Sequence, residues 1–270
     1  MTLLEYFALN EEPFRISPNP RFLFLNEQVK EASSKVSYMT QHRTAPLYMY
    51  GAIGSGKTSI LRRLYEELKD DQTYTLRLLI APNVKSSMAF LRAIMDTFDV
   101  ATDRAYDRSL KHFEAFLIEQ YQQNKVPTLF VDEAQNMTRD ILKLIHYLLN
   151  FETSDVKLLQ IVLTGQEELS EKVKRYHELR SRMIPIAINS MSPADLQSML
   201  RFRWSIAATN TSQAPFTDEA YQEIFAYTKG LPRDAIKLAD EVLRHLYISQ
   251  QHNATAQHVI HAAQQLDLEK

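Results

Sequence analysis

The sequence predicts an α/β protein: a mainly parallel sheet covered by helices on both faces, followed by a smaller all-helical region. Three observations lead there. Short apolar runs of strand length alternate with helical patterns through the first two thirds of the chain. A glycine-rich turn lies between the first of those runs and the helical pattern after it. No strand pattern interrupts the last third.

The predicted strands are "PLYMY" (46–50), "YTLRLLI" (74–80), "PTLFV" (127–131), "LLQIVLTG" (158–165) and "IPIAI" (184–188). Helices are expected near 57–69, 87–98, 106–123, 138–150 and 167–175. The first of these turns Ile60, Leu61, Leu64 and Leu68 onto one face. Strands separated by helices need crossover connections, which is why the sheet is expected to be parallel. In the last third, Ser192 is a helix N-cap, with Pro193 at the first helical position and Asp195 in the first turn. Thr217 and two following acids open a helix that stops at Gly230, Pro232 opens the next, and Thr255 caps a final one running through Leu266. The expected organisation is a leader over 1–35 packed on the core, an α/β domain over 36–190 and a helical domain over 191–270.

The 270 residues, 45% of them hydrophobic, suffice for one large buried core or two ordinary ones. With no cysteine, a disulfide framework and thiolate chemistry are excluded, and a reducing cytoplasm is the expected location. No apolar run approaches the ~20 residues that span a bilayer, and the start "MTLLEYFALNEEPF" lacks a basic n-region and long h-region. A soluble protein without membrane contact is therefore expected. The net charge of -2 gives no global bias toward nucleic acid, so any DNA contact would use a local patch. The eight histidines are scattered without a pair at metal-ligand spacing beside acids, and the methionines and Trp204 read as packing residues.

Gly51, Gly54, Gly56, Lys57 and Thr58 fit G-x-x-x-x-G-K-[ST] between a strand and a helix. Glycines let backbone amides curl around phosphates at a helix N-terminus, so the whole stretch Gly51, Ala52, Ile53, Gly54, Ser55, Gly56, Lys57, Thr58 and Ser59 is the candidate ATP cradle. Lys57 would reach the β/γ-phosphates and Thr58 would offer its hydroxyl to Mg²⁺. The run "TLFVDEAQ" ends a strand on two acids: Asp132 suits Mg²⁺, and Glu133 suits the base that accepts a proton from the attacking water. At the end of "QIVLTG" lie Thr164, Gly165 and Gln166, of which Gln166 is the candidate to touch the γ-phosphate or orient the water. Arg180 and Arg182 precede the fifth strand as candidate fingers for a neighbouring subunit's nucleotide, and Arg233 in "GLPRD" is placed to reach back to the phosphates.

With these residues assembled, the chain resembles the AAA+ ATPases, and more narrowly the family of ExeA-type ATPases and TniB/TnsC-type transposition regulators. The narrower likeness rests on "YFALNEEPFRISPNPRFLFLNEQVKEA" (6–32), on "LTGQEEL" (163–169) and on "LRSR" before the fifth strand. The leader's prolines hold it extended, and Phe14, Phe22 and Phe24 offer apolar faces to a sheet edge. The resemblance implies that Pro13 and Phe14 border the adenine; simple core packing is the alternative. It also implies a sheet order of 5-1-4-3-2 and ATP held between subunits of a ring or helical filament. ExeA-type proteins continue into a membrane span and a peptidoglycan-binding region that this sequence lacks, which turns the expectation toward the transposition regulators.

On that reading the protein assembles with ATP on double-stranded DNA, is recruited by a TniQ/TnsD-like target selector, and hands the site to a transposase before hydrolysis disassembles it. Lys85, Arg104, Arg108 and Lys111, between the second and third strands, are the candidate DNA contacts. Three alternatives stand beside it: a scaffold that binds ATP without hydrolysing it, an ExeA-like envelope-assembly ATPase that ignores DNA, and a replication-type loader.

Overall fold

The computed structural model describes residues 1–17, 19–80, 84–209 and 213–270; Pro18 of the leader and Asn83 of "NVKSS" lie outside the described residues. The chain forms two compact units. One comprises Glu27–Gly51 and Lys57–Ile188, and the other Met1–Asn26, Ala52–Gly56 and Asn189–Lys270. Helix α1 (Leu3–Tyr6) belongs to the second unit. Helices α2 (Glu27–Gln41), α3 (Lys57–Leu68), α4 (Ser87–Thr97), α5 (Tyr106–Gln122), α6 (Arg139–Leu148), α7 (Glu167–Arg175) and α8 (His177–Arg180) belong to the first. Helices α9 (Pro193–Ala207), α10 (Asp218–Thr228), α11 (Pro232–Ile248) and α12 (Ala256–Gln265) complete the second.

The α/β unit is built on strands β1 (Leu47–Tyr50), β2 (Tyr74–Ile80), β3 (Val126–Asp132), β4 (Gln160–Gly165) and β5 (Ile184–Ala187), in the order β2-β3-β4-β1-β5. All four pairings are parallel, and the order is the expected 5-1-4-3-2. β3 and β4 are buried along their whole length, which is why their sequences are nearly continuous apolar runs rather than alternating ones. Ile60, Leu61 and Leu64 of α3 are fully buried, as the helical spacing predicts, and Phe90, Ile94, Phe113, Leu129, Ile145, Ile161 and Leu163 belong to the main core of the sheet. Each such side chain contributes roughly 1.5–3 kcal/mol of hydrophobic stabilisation. β4 starts at Gln160 rather than 158, because the Leu158 amide bonds the Phe151 carbonyl at 2.9 Å.

In the helical unit the predicted caps are in place. Ser192 accepts from the Asp195 amide at 3.1 Å, Thr217 accepts from the Ala220 amide at 3.3 Å, and Pro232 opens α11. Gly230 has φ +78°, and a Cβ there would meet the Met191 carbonyl oxygen at 2.2 Å, so only glycine fits between α10 and α11.

The leader differs from its expected place. Residues 1–26 group with the C-terminal helices, not with the sheet, and α2 begins only afterwards. The cause is the buried Arg203 of α9: Nε donates to the Pro13 carbonyl at 2.9 Å, Nη1 to Phe22 at 3.2 Å and Nη2 to Arg15 at 2.8 Å. Three leader carbonyls are thereby satisfied by one guanidinium, whose fork suits several acceptors at once. Phe14 and Phe22 are buried in the helical cluster, Phe14 edge-on to Phe216 at 5.9 Å, and Phe24 pairs with Phe202 at 5.7 Å.

Candidate nucleotide-binding site

The glycine turn lies between β1 and α3. Gly54 and Gly56 have φ of +84° and +99°, conformations that a side chain disfavours, and the Ser55 amide closes the turn on the Ala52 carbonyl at 3.2 Å. Ala52 and Ile53 are exposed. Within the helical unit, the first turn of α11 rests on this loop: the Arg233 amide donates to the Gly54 carbonyl at 3.2 Å, and a Cβ on Gly54 would lie 2.8 Å from the Arg233 Cβ. The Arg233 side chain is exposed and makes no ion pair among the described residues.

Within the α/β unit, Lys57 is buried, 8% exposed, and its Nζ donates to the Gly51 carbonyl at 2.9 Å. One residue on, Thr58 Oγ1 donates to Asp132 Oδ2 at 2.8 Å. Asp132 ends β3, is 7% exposed, and accepts from Thr164 Oγ1 at 2.5 Å and from the Glu133 amide at 3.0 Å through Oδ1. Two hydroxyls and an amide thus fix the carboxylate beside the start of α3. Glu133 has left-handed backbone, φ 56° and ψ 32°, at roughly 1–2 kcal/mol of strain for a residue with a Cβ. That twist turns the chain out of the strand into the short 3₁₀ turn Ala134–Asn136.

Gln135, 9% exposed, sits against this acid. Its Nε2 donates to Glu133 Oε2 at 2.6 Å, while its Oε1 accepts from the Gln166 amide at 3.1 Å. Gly165 is a glycine because of that approach: a Cβ there would stand 2.8 Å from Gln135 Oε1 and 3.0 Å from the Gln135 amide. Lys172 of α7 adds a second tie, donating to the carbonyls of Gln135 and, at 2.9 Å, Met137.

The structure therefore brings Lys57, Thr58, Asp132 and Glu133 together. Gln166 reaches this cluster through its backbone amide; its side chain, half-buried, makes no hydrogen bond among the described residues. Thr164 and Gln135 supply the side-chain contacts at that corner. Thr164 stands in the strand end singled out from the sequence, and Gln135 is spelled in "VDEAQ", yet only the fold shows that both face the acids. Arg180 is exposed at the end of α8; Arg182 is half-buried beside His146 and Lys157, whose pKa values are held below their ordinary range by burial first and by the nearness of Arg182 second. Pro13 and Phe14 are buried in the helical unit, Phe14 only 1% exposed, and packing is the role the structure shows for both.

Lys85, Arg104, Arg108 and Lys111 are all exposed around the starts of α4 and α5, two helices that pack against each other. Arg108 pairs with Asp103 at 3.1 Å; the other three make no ion pair among the described residues. Among the described residues no three His, Cys, Asp or Glu groups converge as a metal cage, and no helix is long and apolar enough to cross a membrane. Thr58 and Asp132, two hard oxygen donors in hydrogen-bond contact, suit a Mg²⁺ ion that takes its remaining oxygens from water and phosphates.

Residues 40–173 match the protein-family model described as AAA domain. The fold is that of the AAA+ P-loop NTPases. The ORC2 protein of Aeropyrum pernix, solved in ADPNP–ADP complexes, superposes with a TM-score of 0.70 at 15% identity, over 95% of this chain and 72% of that one. Cdc6p of Pyrobaculum aerophilum gives 0.63 at 15% identity over 91% and 68%, and the RuvB Holliday junction branch migration motor of Thermotoga maritima gives 0.58 at 17% over 89% and 69%. At these identities the likeness concerns the AAA+ fold alone. In sequence, the chain is 30% identical over 246 residues to general secretion pathway protein A of Aeromonas hydrophila. That alignment takes in 88% of this chain and 44% of the relative, so the chain spans under half of the relative's length.

Proposed function

We propose that this chain is a Mg²⁺-dependent ATPase that assembles with copies of itself on double-stranded DNA, links a TniQ/TnsD-like target selector to a transposase, and leaves when ATP is hydrolysed. The observation that carries the nucleotide chemistry is the Thr58–Asp132 contact at 2.8 Å next to Glu133. It joins the residue after the phosphate-loop lysine to the acid at the end of β3. Mg²⁺, when bound, neutralises phosphate charge, and Thr58 and Asp132 would hold it. Lys57 exchanges its bond to the Gly51 carbonyl for charge-assisted bonds to the phosphates. Glu133 takes a proton from water as the water oxygen bonds the γ-phosphorus and the bond to the β-phosphate oxygen breaks. Gln166 is retained as a group that orients that water, and Arg233, already against the loop, as one that responds to phosphate.

Hydrolysis between copies would use Arg182 or Arg180 of the neighbouring copy as a finger. The timer follows: copies hold together while the γ-phosphate is present and separate once it is gone. The DNA part is supported by the exposed Lys85, Arg104 and Lys111, since one or two phosphate contacts per copy, repeated along a polymer, add up to strong binding without a basic overall charge.

Phosphate release with and without long duplex DNA tests the reading. Wild type should hydrolyse ATP faster with DNA, and Lys57→Ala and Glu133→Gln should lose both rates. A second reading has its own support in the 30% identity to a general secretion pathway protein: the same ATPase would then serve an envelope partner in the cell. Hydrolysis indifferent to DNA would favour it.

A further inference from the structure

We infer that Gln135 is the positioning residue for the catalytic base, aligning Glu133 and tying it to the N-terminus of α7. The inference rests on the ATPase reading above and deepens it. A glutamate used as a base must present one free oxygen to water in a fixed rotamer. Glu133 has the flexible side chain of any glutamate, on a backbone held in the left-handed region. What fixes its carboxylate is the 2.6 Å bond from Gln135 Nε2 to Oε2, which leaves Oε1 for the water.

Gln135 is itself immobilised on three sides. Its Oε1 accepts from the Gln166 amide at 3.1 Å, its carbonyl accepts from Lys172, and its side chain lies over Gly165, where a Cβ would stand 2.8 Å away. An amide suits this position, because it accepts from a backbone N–H at one end and donates to a carboxylate at the other. Glu133, Gln135, Gly165, Gln166 and Lys172 are therefore one connected piece. Its far end is α7, the helix that leads into α8 and Arg180.

The test is steady-state ATP hydrolysis by the full chain across pH 5–9, with affinity for a fluorescent ATP analogue and thermal unfolding measured on the same samples. Gln135→Ala should lower kcat by about tenfold to a hundredfold, a fraction of what a general base supplies, while KM and analogue affinity stay within about twofold of wild type. Gln135→Glu keeps the shape and the acceptor for the Gln166 amide but puts a second carboxyl beside Glu133. Two carboxyls at that distance share a proton, so the acidic limb of the kcat profile should move up by about one pH unit or more. Loss of packing alone would not shift that limb. A Gln135→Ala variant as active as wild type, or more active, would overturn the assignment, the latter by showing that Gln135 restrains the base instead of aligning it. An unshifted acidic limb in Gln135→Glu would also overturn it. Absence of hydrolysis and of analogue binding in the wild type would overturn the ATPase reading itself, and the assignment with it.

Discussion

Thr164 and Asp132 meet at 2.5 Å, hydroxyl to carboxylate, on adjacent parallel strands. The buried acid is thus held from β4 as well as from Thr58 on α3. Thr164→Val keeps the volume and removes the donor, leaving Asp132 Oδ1 with the Glu133 amide alone. The cost should be about 1–3 kcal/mol of stability, read by chemical denaturation, and affinity for an ATP analogue should fall more in Mg²⁺ than in EDTA.

Gly54 and Arg233 constrain one another. A Gly54→Ala side chain would sit at φ +84° and 2.8 Å from the Arg233 Cβ. The substitution should abolish analogue binding by distorting the loop, whereas Arg233→Ala, which removes only an exposed side chain, should leave binding largely intact and slow hydrolysis. Equal effects of the two on binding would contradict this division of roles.

Arg203 holds the leader. Burial pulls its pKa down to about 10, so it remains a cation at neutral pH, and it lies 4.9 Å from the Phe22 ring as well as donating to three carbonyls. Arg203→Met should cost about 2–4 kcal/mol, because buried carbonyls lose their donor. Limited proteolysis should then cut first within residues 1–26, with the α/β unit surviving longer.

Stability should fall with acid. Burial lowers the pKa of His146, helped by Arg182 and opposed by Glu178, and burial lowers that of His258, helped by His245 and His261. A histidine with a depressed folded pKa binds fewer protons folded than unfolded, so stability declines as pH drops through and below the ordinary value of about 6.5. Thermal midpoints between pH 7.5 and 5 should decrease, and the slope should lessen in His146→Asn and His258→Asn.

The periodic parts of the sequence are enough to place the strands and helices, because β3, β4 and the buried face of α3 declare themselves in consecutive residues, while the strand order came from the family resemblance. The glycine turn and the acids Asp132 and Glu133 stand out in the sequence for the same reason: each is a run of neighbouring residues, and the fold brings Thr58 after the one onto Asp132 of the other. Long-range partnerships were not. Arg203 reaches carbonyls about 180 to 190 residues away, so no local pattern reveals that the leader packs with the C-terminal helices. Gln135 lies in the turn after β3 and Thr164 at the end of β4, and it takes the parallel pairing of these strands to show that both side chains meet the acids. Gln166 stood out as a side chain, whereas the contact the fold makes of it is a backbone amide.

The most direct test of ATP-timed assembly is fluorescence anisotropy of long duplex DNA with the protein in no nucleotide, ADP, ATP or a non-hydrolysable ATP analogue, comparing wild type with Lys57→Ala and Glu133→Gln. The account predicts binding only with a triphosphate, none for Lys57→Ala, and complexes that outlast wild type for Glu133→Gln. DNA binding that ignores nucleotide, or no DNA binding in any state, would contradict it.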